Sequence, residues 1–276
     1  MLDALALAAT APARRMVAEA DQALLCLRHD GFAVVRDAFT TADLHEAEGL
    51  LDSVLGRFGT LVATRRAGAR RFAHDMAARN DPSDGSIDQP EILYPASLDP
   101  RLTETGLFRK CAAFARAMGG PVGRCFDHVI VKSPWNASVT PWHQDAALTR
   151  FRSLPRALQM DRFHFWIPLQ DATIENGCME FIPGSHDAPL LHHERFERAN
   201  GDIGLRASPD NIEDSEACPV PAGGFTVHTP RTLHHTGRNA TARSRKAWII
   251  HFSRFGGQEI KLKRMFGRVP ATLTDG

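Results

Sequence analysis

The chain is poor in cysteine, in tyrosine and in net charge, and each shortage excludes something. Its five cysteines (Cys26, Cys111, Cys125, Cys178 and Cys218) are an odd number, widely spaced, with no Cys-x-x-Cys pair. That argues against a disulfide framework or zinc knuckle and for a reducing compartment. No apolar run reaches the roughly 18 residues that span a bilayer. The amino terminus is rich in Ala and Leu, but Asp3 stands where a secretory signal carries Lys or Arg, so the expected location is cytoplasmic. Lys plus Arg (33) nearly cancel Asp plus Glu (32), leaving +1. Such a field is too weak to hold a nucleic-acid backbone or an anionic membrane, and a small molecule is the expected partner.

What remains is the composition of an ordinary folded protein, with 43% apolar and 24% charged residues over 276 positions. The reading is one large domain: a helical part to about residue 120, a β-rich core over about 121–256 and a tail over 257–276. Residues 18–29 carry a helical apolar pattern ending at Gly31, and 32–35 read as a strand. Thr40 or Thr41 can cap a helix in which Leu44, Ala47, Leu50, Leu51, Val54 and Leu55 recur at helical spacing. Residues 59–100 lose periodicity and read as a functional loop, a candidate lid or pocket wall. A helix over 102–118 follows. Short strands are then expected at 125–132, 139–145, 163–169, 178–182, 224–228 and 247–252. Helices first and many short strands after them define an α+β protein with an antiparallel sandwich or barrel.

Two His-x-Asp/Glu triplets occur, His143-Gln144-Asp145 and His192-His193-Glu194. The second lies in a polar stretch without periodicity and reads as a solvated loop. The first closes the run Val139-Thr140-Pro141-Trp142. On a strand, residues i and i+2 share a face, so His143 and Asp145 can grip one ion while Gln144 points elsewhere. A third ligand must come from another strand, and His234 and His235 are the candidates. Two imidazoles and a carboxylate on one face of an ion form the facial triad of non-heme Fe(II) oxygenases. Zinc on the same ligands would favour hydrolysis. A chelating 2-oxoacid such as 2-oxoglutarate would need a buried cationic fork for its far carboxylate, and Arg245 can supply one. Arg245 shares the parity of Ala247 and Ile249, opposite to Lys246, Trp248 and Ile250.

Taken together, several segments resemble the phytanoyl-CoA dioxygenase-like family of Fe(II)/2-oxoglutarate oxygenases. They are His143-x-Asp145, Asn176-Gly177-Cys178-Met179-Glu180-Phe181-Ile182-Pro183-Gly184-Ser185-His186, Leu233-His234 with Thr236-Gly237-Arg238-Asn239, Arg245, and the earlier Asp30-Gly31-Phe32-Ala33-Val34-Val35. The resemblance implies a double-stranded β-helix (jelly-roll, cupin-like) core with N-terminal and flanking helices, and iron on His143, Asp145 and His234. It assigns the 2-oxoglutarate carboxylate to Arg245, with Thr236 beside it, Trp166 bordering the cosubstrate and Lys132 nearby. The implied reaction takes dioxygen and 2-oxoglutarate, releases succinate and hydroxylates an unactivated C–H bond of a small metabolite. Asp145 stands where halogenating relatives carry Ala or Gly, so halogenation is not implied. His128, on the strand face of Phe126 and Ile130, is a candidate substrate contact, with Phe72, Arg162 and His164 behind it. Arg65, Arg66, Arg70 and Arg71 read either as a solvated basic loop or as a clamp for an anion. Sixteen Phe against one Tyr make the interior apolar enough for a hydrophobic substrate. A zinc hydrolase, or a non-catalytic metal-binding module of this fold, are the other readings of the same residues.

Overall fold

In the computed structural model, which describes residues 11–63, 72–76, 89–147, 152, 156–197 and 203–254, helix α1 (Ala11–His29) turns at Gly31 into strand β1 (Phe32–Val35). Gly31 has φ +88°, a left-handed conformation that favours residues without a Cβ. Its carbonyl accepts from the Thr229 amide and the Thr232 hydroxyl, so this turn anchors the segment that leads to His234. Helix α2 (Thr41–Leu55) opens on a reciprocal cap: the Thr40 hydroxyl accepts from the Asp43 amide while the Asp43 carboxylate accepts from the Thr40 amide. Its buried residues Leu44, Ala47, Leu51 and Val54 follow the expected spacing, with Leu50 and Leu55 at the margin.

Helix α3 (Phe58–Ala63) and strands β2 (Ala73–Asp75) and β3 (Pro90–Leu93) occupy described parts of the stretch expected to be irregular. Ala-His-Asp and Pro-Glu-Ile-Leu carry no apolar run of four like that of β1, which is why they escape a pattern reading. Arg65, Arg66, Arg70 and Arg71 lie outside the described residues, as do the tail over 257–276 and the first ten positions. After α4 (Pro95–Leu98), the helix expected over 102–118 divides. A 3₁₀ turn (Pro100–Glu104) precedes Thr105, whose hydroxyl accepts from the Phe108 amide and opens α5 (Gly106–Gly119).

The other elements are β4 (Gly123–Lys132), β5 (Thr140–His143), α6 (Arg156–Gln159), β6 (Arg162–Pro168), β7 (Met179–Phe181), β8 (Glu194–Glu197), β9 (Ile203–Arg206), β10 (Glu216–Cys218), β11 (Phe225–His228), β12 (His234–Thr236) and β13 (Arg245–Ser253). They form an antiparallel seven-stranded sheet, β1-β11-β6-β13-β4-β3-β2, facing a four-stranded one, β10-β7-β12-β5, with β8-β9 as a separate hairpin. This is a jelly-roll core. The first three strands, from the part expected to be helical, complete the large sheet.

Strand β13 shows how the layers divide. Trp248, Ile250 and Phe252 face outward into the main core with α1, α2 and α5, where Phe114, Phe165 and Phe225 stack edge to face. Ala247 and Ile249 face inward and pack with Trp166 of the neighbouring β6 and with Met179 and Phe181 from the opposite sheet. Full burial of one such side chain contributes about 1.5–3 kcal/mol. No helix among the described residues is long and apolar enough to cross a membrane.

A Cβ on Gly31 would sit 2.6 Å from His186 Nδ1 and 2.7 Å from Thr232 Oγ1. Gly31→Ala is therefore expected to cost at least about 1–3 kcal/mol, the range for a strained backbone position. Urea unfolding of the two proteins measures it, and an unchanged midpoint would contradict this account of the turn.

Candidate metal centre and cosubstrate pocket

His143 ends β5 and His234 opens β12, and the two are direct cross-strand partners. Their rings lie 4.1 Å apart between centroids. Each Nδ1 sits 2.8 Å from a main-chain carbonyl, that of Pro141 for His143 and of Thr232 for His234. A carbonyl only accepts, so both Nδ1 atoms carry the proton and both Nε2 atoms present lone pairs. Asp145 follows in a 3₁₀ turn, with Oδ1 3.4 Å from His143 Nε2 and Oδ2 3.9 Å from His234 Nε2. Donor atoms of these three residues all lie within 4.8 Å of one another, a set that could hold one metal ion. Burial alone would raise the Asp145 carboxyl, but the surrounding imidazoles of His234, His143, His164 and His228 hold it well below the usual range.

Gln144, between the two, points away as its parity requires and is buried. Its amide nitrogen donates to Arg231 O at 2.6 Å and its amide oxygen accepts from Leu191 N at 2.9 Å, which ties β5 to the approach of β12. His235 turns from the triad. Its Nε2 is 2.7 Å from Glu180 Oε2 and its ring lies 4.3 Å from that of Trp142.

Behind the triad, Arg245 is 1% exposed. Its guanidinium lies 5.0 Å from the Trp166 ring, and Nη2 donates to Gly177 O at 3.2 Å. Nε has no partner, nor does the hydroxyl of Thr236. No carboxylate among the described residues pairs with this arginine, and burial pushes it down to about 10. Lys132 Nζ donates to the carbonyls of Ser138, Thr236 and Gly237; burial and the neighbouring Arg245 push it down to about 6. An unpaired buried cation is costly. Unpartnered donors beside it suit an anion with two or more acceptor oxygens, as a carboxylate has. The residues present thus fit both a divalent metal and the far end of a 2-oxoacid.

Triad and arginine open on one cavity of about 540 Å³, continuous with solvent at its mouth. Lys132, Thr236, Trp166 and His128 line it, whereas Phe72, half exposed ahead of β2, and Arg162, at the far end of β6, are not among its lining residues. Among the described residues, Phe114, Phe163, Phe165, Phe225 and Phe252 pack into the main core, and no phenylalanine lines this cavity. Instead, His228 and His251 join His128 on the wall. His164, beside them on β6, gives Nδ1 to Asp145 Oδ2 at 2.7 Å. His74 and His128 both hold the buried Glu91, and together they keep its carboxyl below the usual range against the effect of burial. Neither His228, His251 nor Glu91 stands out in the sequence; the cue would have been four histidines at inward positions of adjacent strands. The second triplet is not a solvated loop throughout: His193 is buried, with Nε2 accepting from Gln144 N at 3.0 Å, and Glu194 begins β8.

A jelly-roll core that presents two imidazoles and a carboxylate to one point defines the class of non-heme iron oxygenases. The chain belongs to the phytanoyl-CoA dioxygenase (PhyH) family, a group of Fe(II)/2-oxoglutarate-dependent oxygenases whose model matches residues 27–247. A phytanoyl-CoA dioxygenase domain-containing protein 1 homolog of Caenorhabditis elegans is 31% identical over 255 residues, 80% of this chain and 86% of that protein. Its Mus musculus counterpart is 33% identical over 135 residues, 46% of this chain, so the match spans about half of that relative's length (44%). Among solved structures, EvdO2 from Micromonospora carbonacea var. aurantiaca, complexed with 2-oxoglutarate, has 28% identity and a TM-score of 0.65, covering 84% of this chain and 89% of that one. The carbocyclase SnoK from nogalamycin biosynthesis shares the fold, with a TM-score of 0.64 at 22% identity over 88% of this chain and 89% of its own.

Burial pushes His164 down from 6.5 to about 4 and carries His234 and His251 well below 6.5. Between the folded and unfolded values the unfolded chain binds more protons, so stability rises with pH there and falls on acidification. In metal-free protein, going from pH 7 to pH 5 is expected to cost about 2 kcal/mol from His164 alone, with the other two adding to it. Urea midpoints at the two pH values measure this. A pH-independent midpoint would contradict it.

Proposed function

We propose that the protein is an Fe(II)- and 2-oxoglutarate-dependent dioxygenase that hydroxylates an unactivated C–H bond of a small-molecule metabolite. The observation that carries this reading is Arg245, a buried guanidinium without an acidic partner, set behind donors suited to a divalent metal. His143, Asp145 and His234 hold the iron. Arg245 takes the far carboxylate of 2-oxoglutarate as a fork, with the Thr236 hydroxyl as a further donor, while Trp166 stacks under the guanidinium and fixes its plane. When bound, iron and 2-oxoglutarate together supply the activation of dioxygen, releasing succinate and carbon dioxide. The chain itself orients these groups and shields them from bulk water. Lys132, pinned on three carbonyls, holds the β12 exit against β4.

The substrate enters the open side of the cavity, past His128, whose Nδ1 is held by Glu91. The described elements act as one oxygenase unit, because the ligands, the arginine and the covering helices share the same two sheets. A zinc hydrolase would use the three ligands but would leave Arg245 buried for no reason. A non-catalytic module of this fold would leave it equally unexplained.

Anaerobic Fe(II) followed by 2-oxoglutarate is expected to give the visible charge-transfer band of the chelate, and an oxygen pulse should then yield succinate. His234→Ala should abolish the band, whereas His235→Ala, which breaks the pair with Glu180 and the ring contact with Trp142, should keep it. The reverse pattern would transfer the ligand role. Arg245→Leu should weaken 2-oxoglutarate binding by roughly 30-fold or more, as for truncating one partner of a buried charge pair, with Fe(II) affinity little changed. Equal cosubstrate affinity in the variant would remove the arginine from the site, and a silent spectrum in the parent protein would remove the oxygenase reading.

A further inference from the structure

The cross-strand register sets three histidines side by side on the inward face of the large sheet. His164 on β6 lies opposite His228 on β11 and opposite His251 on β13. The His164 ring stacks on that of His251, with centroids 3.5 Å apart and planes 11° from parallel, and meets His228 edge-on at 5.4 Å. This row stands directly behind Asp145. Its nearest atom is His164 Nδ1, 2.7 Å from Oδ2, whereas His228 Nε2 stops at 3.6 Å, beyond hydrogen-bond length. The other carboxylate oxygen, Oδ1, is the one nearest His143 Nε2, at 3.4 Å.

A carboxylate only accepts, so the proton between Oδ2 and Nδ1 belongs to His164. That assignment leaves Nε2 of His164 unprotonated, and this atom is buried without a partner. We propose that His164 is a positioning residue for the metal-binding carboxylate: its Nδ1–H occupies Oδ2, which turns Oδ1 toward the imidazole of His143, and the stack on His251 holds its ring in plane. The proposal rests on the iron reading of the triad.

Asp145, His164 and His228 also bring donor atoms within 4.8 Å of one another. They do not make a second metal seat. Such a seat would need His164 to give up the hydrogen bond to Oδ2. It would also place two divalent cations on one carboxylate, with no second carboxylate among the described residues that line the cavity. The chemistry favours a brace. Groups that orient a ligand in this way change metal affinity about 10–100-fold when removed.

The test uses full-length protein, Co(II) titration followed in the visible region, and the Fe(II)·2-oxoglutarate band. His164→Phe keeps the stack and loses the N–H; its cobalt affinity should fall about 10–100-fold and its chelate band should shift, with the melting temperature of the metal-free form not lowered. His164→Asn places an amide N–H where Nδ1 was and should recover most of the affinity. His164→Gln places its N–H at the Nε2 position and should not. Should the Phe variant bind cobalt like the parent, or Asn and Gln behave alike, the positioning role is overturned. A second equivalent of cobalt in the parent that is missing from the Phe variant would overturn it differently, by making His164 a ligand. Failure of the parent itself to bind cobalt or to form the band would instead strike the oxygenase reading, so the two failures are distinguishable.

Discussion

Arg245 is the constraint around which the cavity is organised. A guanidinium at 1% exposure, with no acid beside it, is tolerable only where a ligand brings the missing negative charge. In the proposed reading the balance closes. Asp145 and Arg245 cancel, and so do a divalent iron and doubly ionised 2-oxoglutarate. Burial keeps His164, His234 and His251 neutral. The cavity therefore holds many polar groups at little electrostatic cost.

The same economy governs hydrogen bonding. His143 and His234 each spend one nitrogen on a carbonyl two residues earlier in their own segment. This local bond fixes the tautomer without any distant partner. Asp145 has no such local support, since it follows the end of a strand and begins a 3₁₀ turn. Its support comes from across the sheet, from His164 on one side and from the Gln144 clip on the other.

Much of this was legible in the sequence, though unevenly. The parity of β13 was readable because its two faces differ sharply in chemistry. Lys246 reaches Glu48 and Asp52 outside, whereas Arg245 points inward, as the alternation requires. The Leu233-His234 pattern and its spacing to Arg245 singled out His234, and the structure turns His235 to Glu180. By contrast, β2, β10 and β12 read Ala-His-Asp, Glu-Ala-Cys and His-His-Thr, without the apolar run that marks the equally short β1 and β11. The row of His164, His228 and His251 was invisible for another reason. Those residues come from segments far apart in the chain, and only the register of three antiparallel strands makes them neighbours. His164 surfaced merely as a weak pocket candidate. The buried state of His193 was missed because a polar stretch was read as solvated, without the backbone amide of Gln144 that its ring accepts from.

The alternation along β13 has a further consequence. Outward side chains on this strand secure the helices, while inward ones face reacting molecules, and the two sets barely share neighbours. Mutational drift at Ile249 or the adjoining His128 can therefore remodel what the cavity accepts while Trp248, Ile250 and Phe252 go on holding the scaffold. A lineage built on such a strand is free to explore new specificities without first acquiring spare stability.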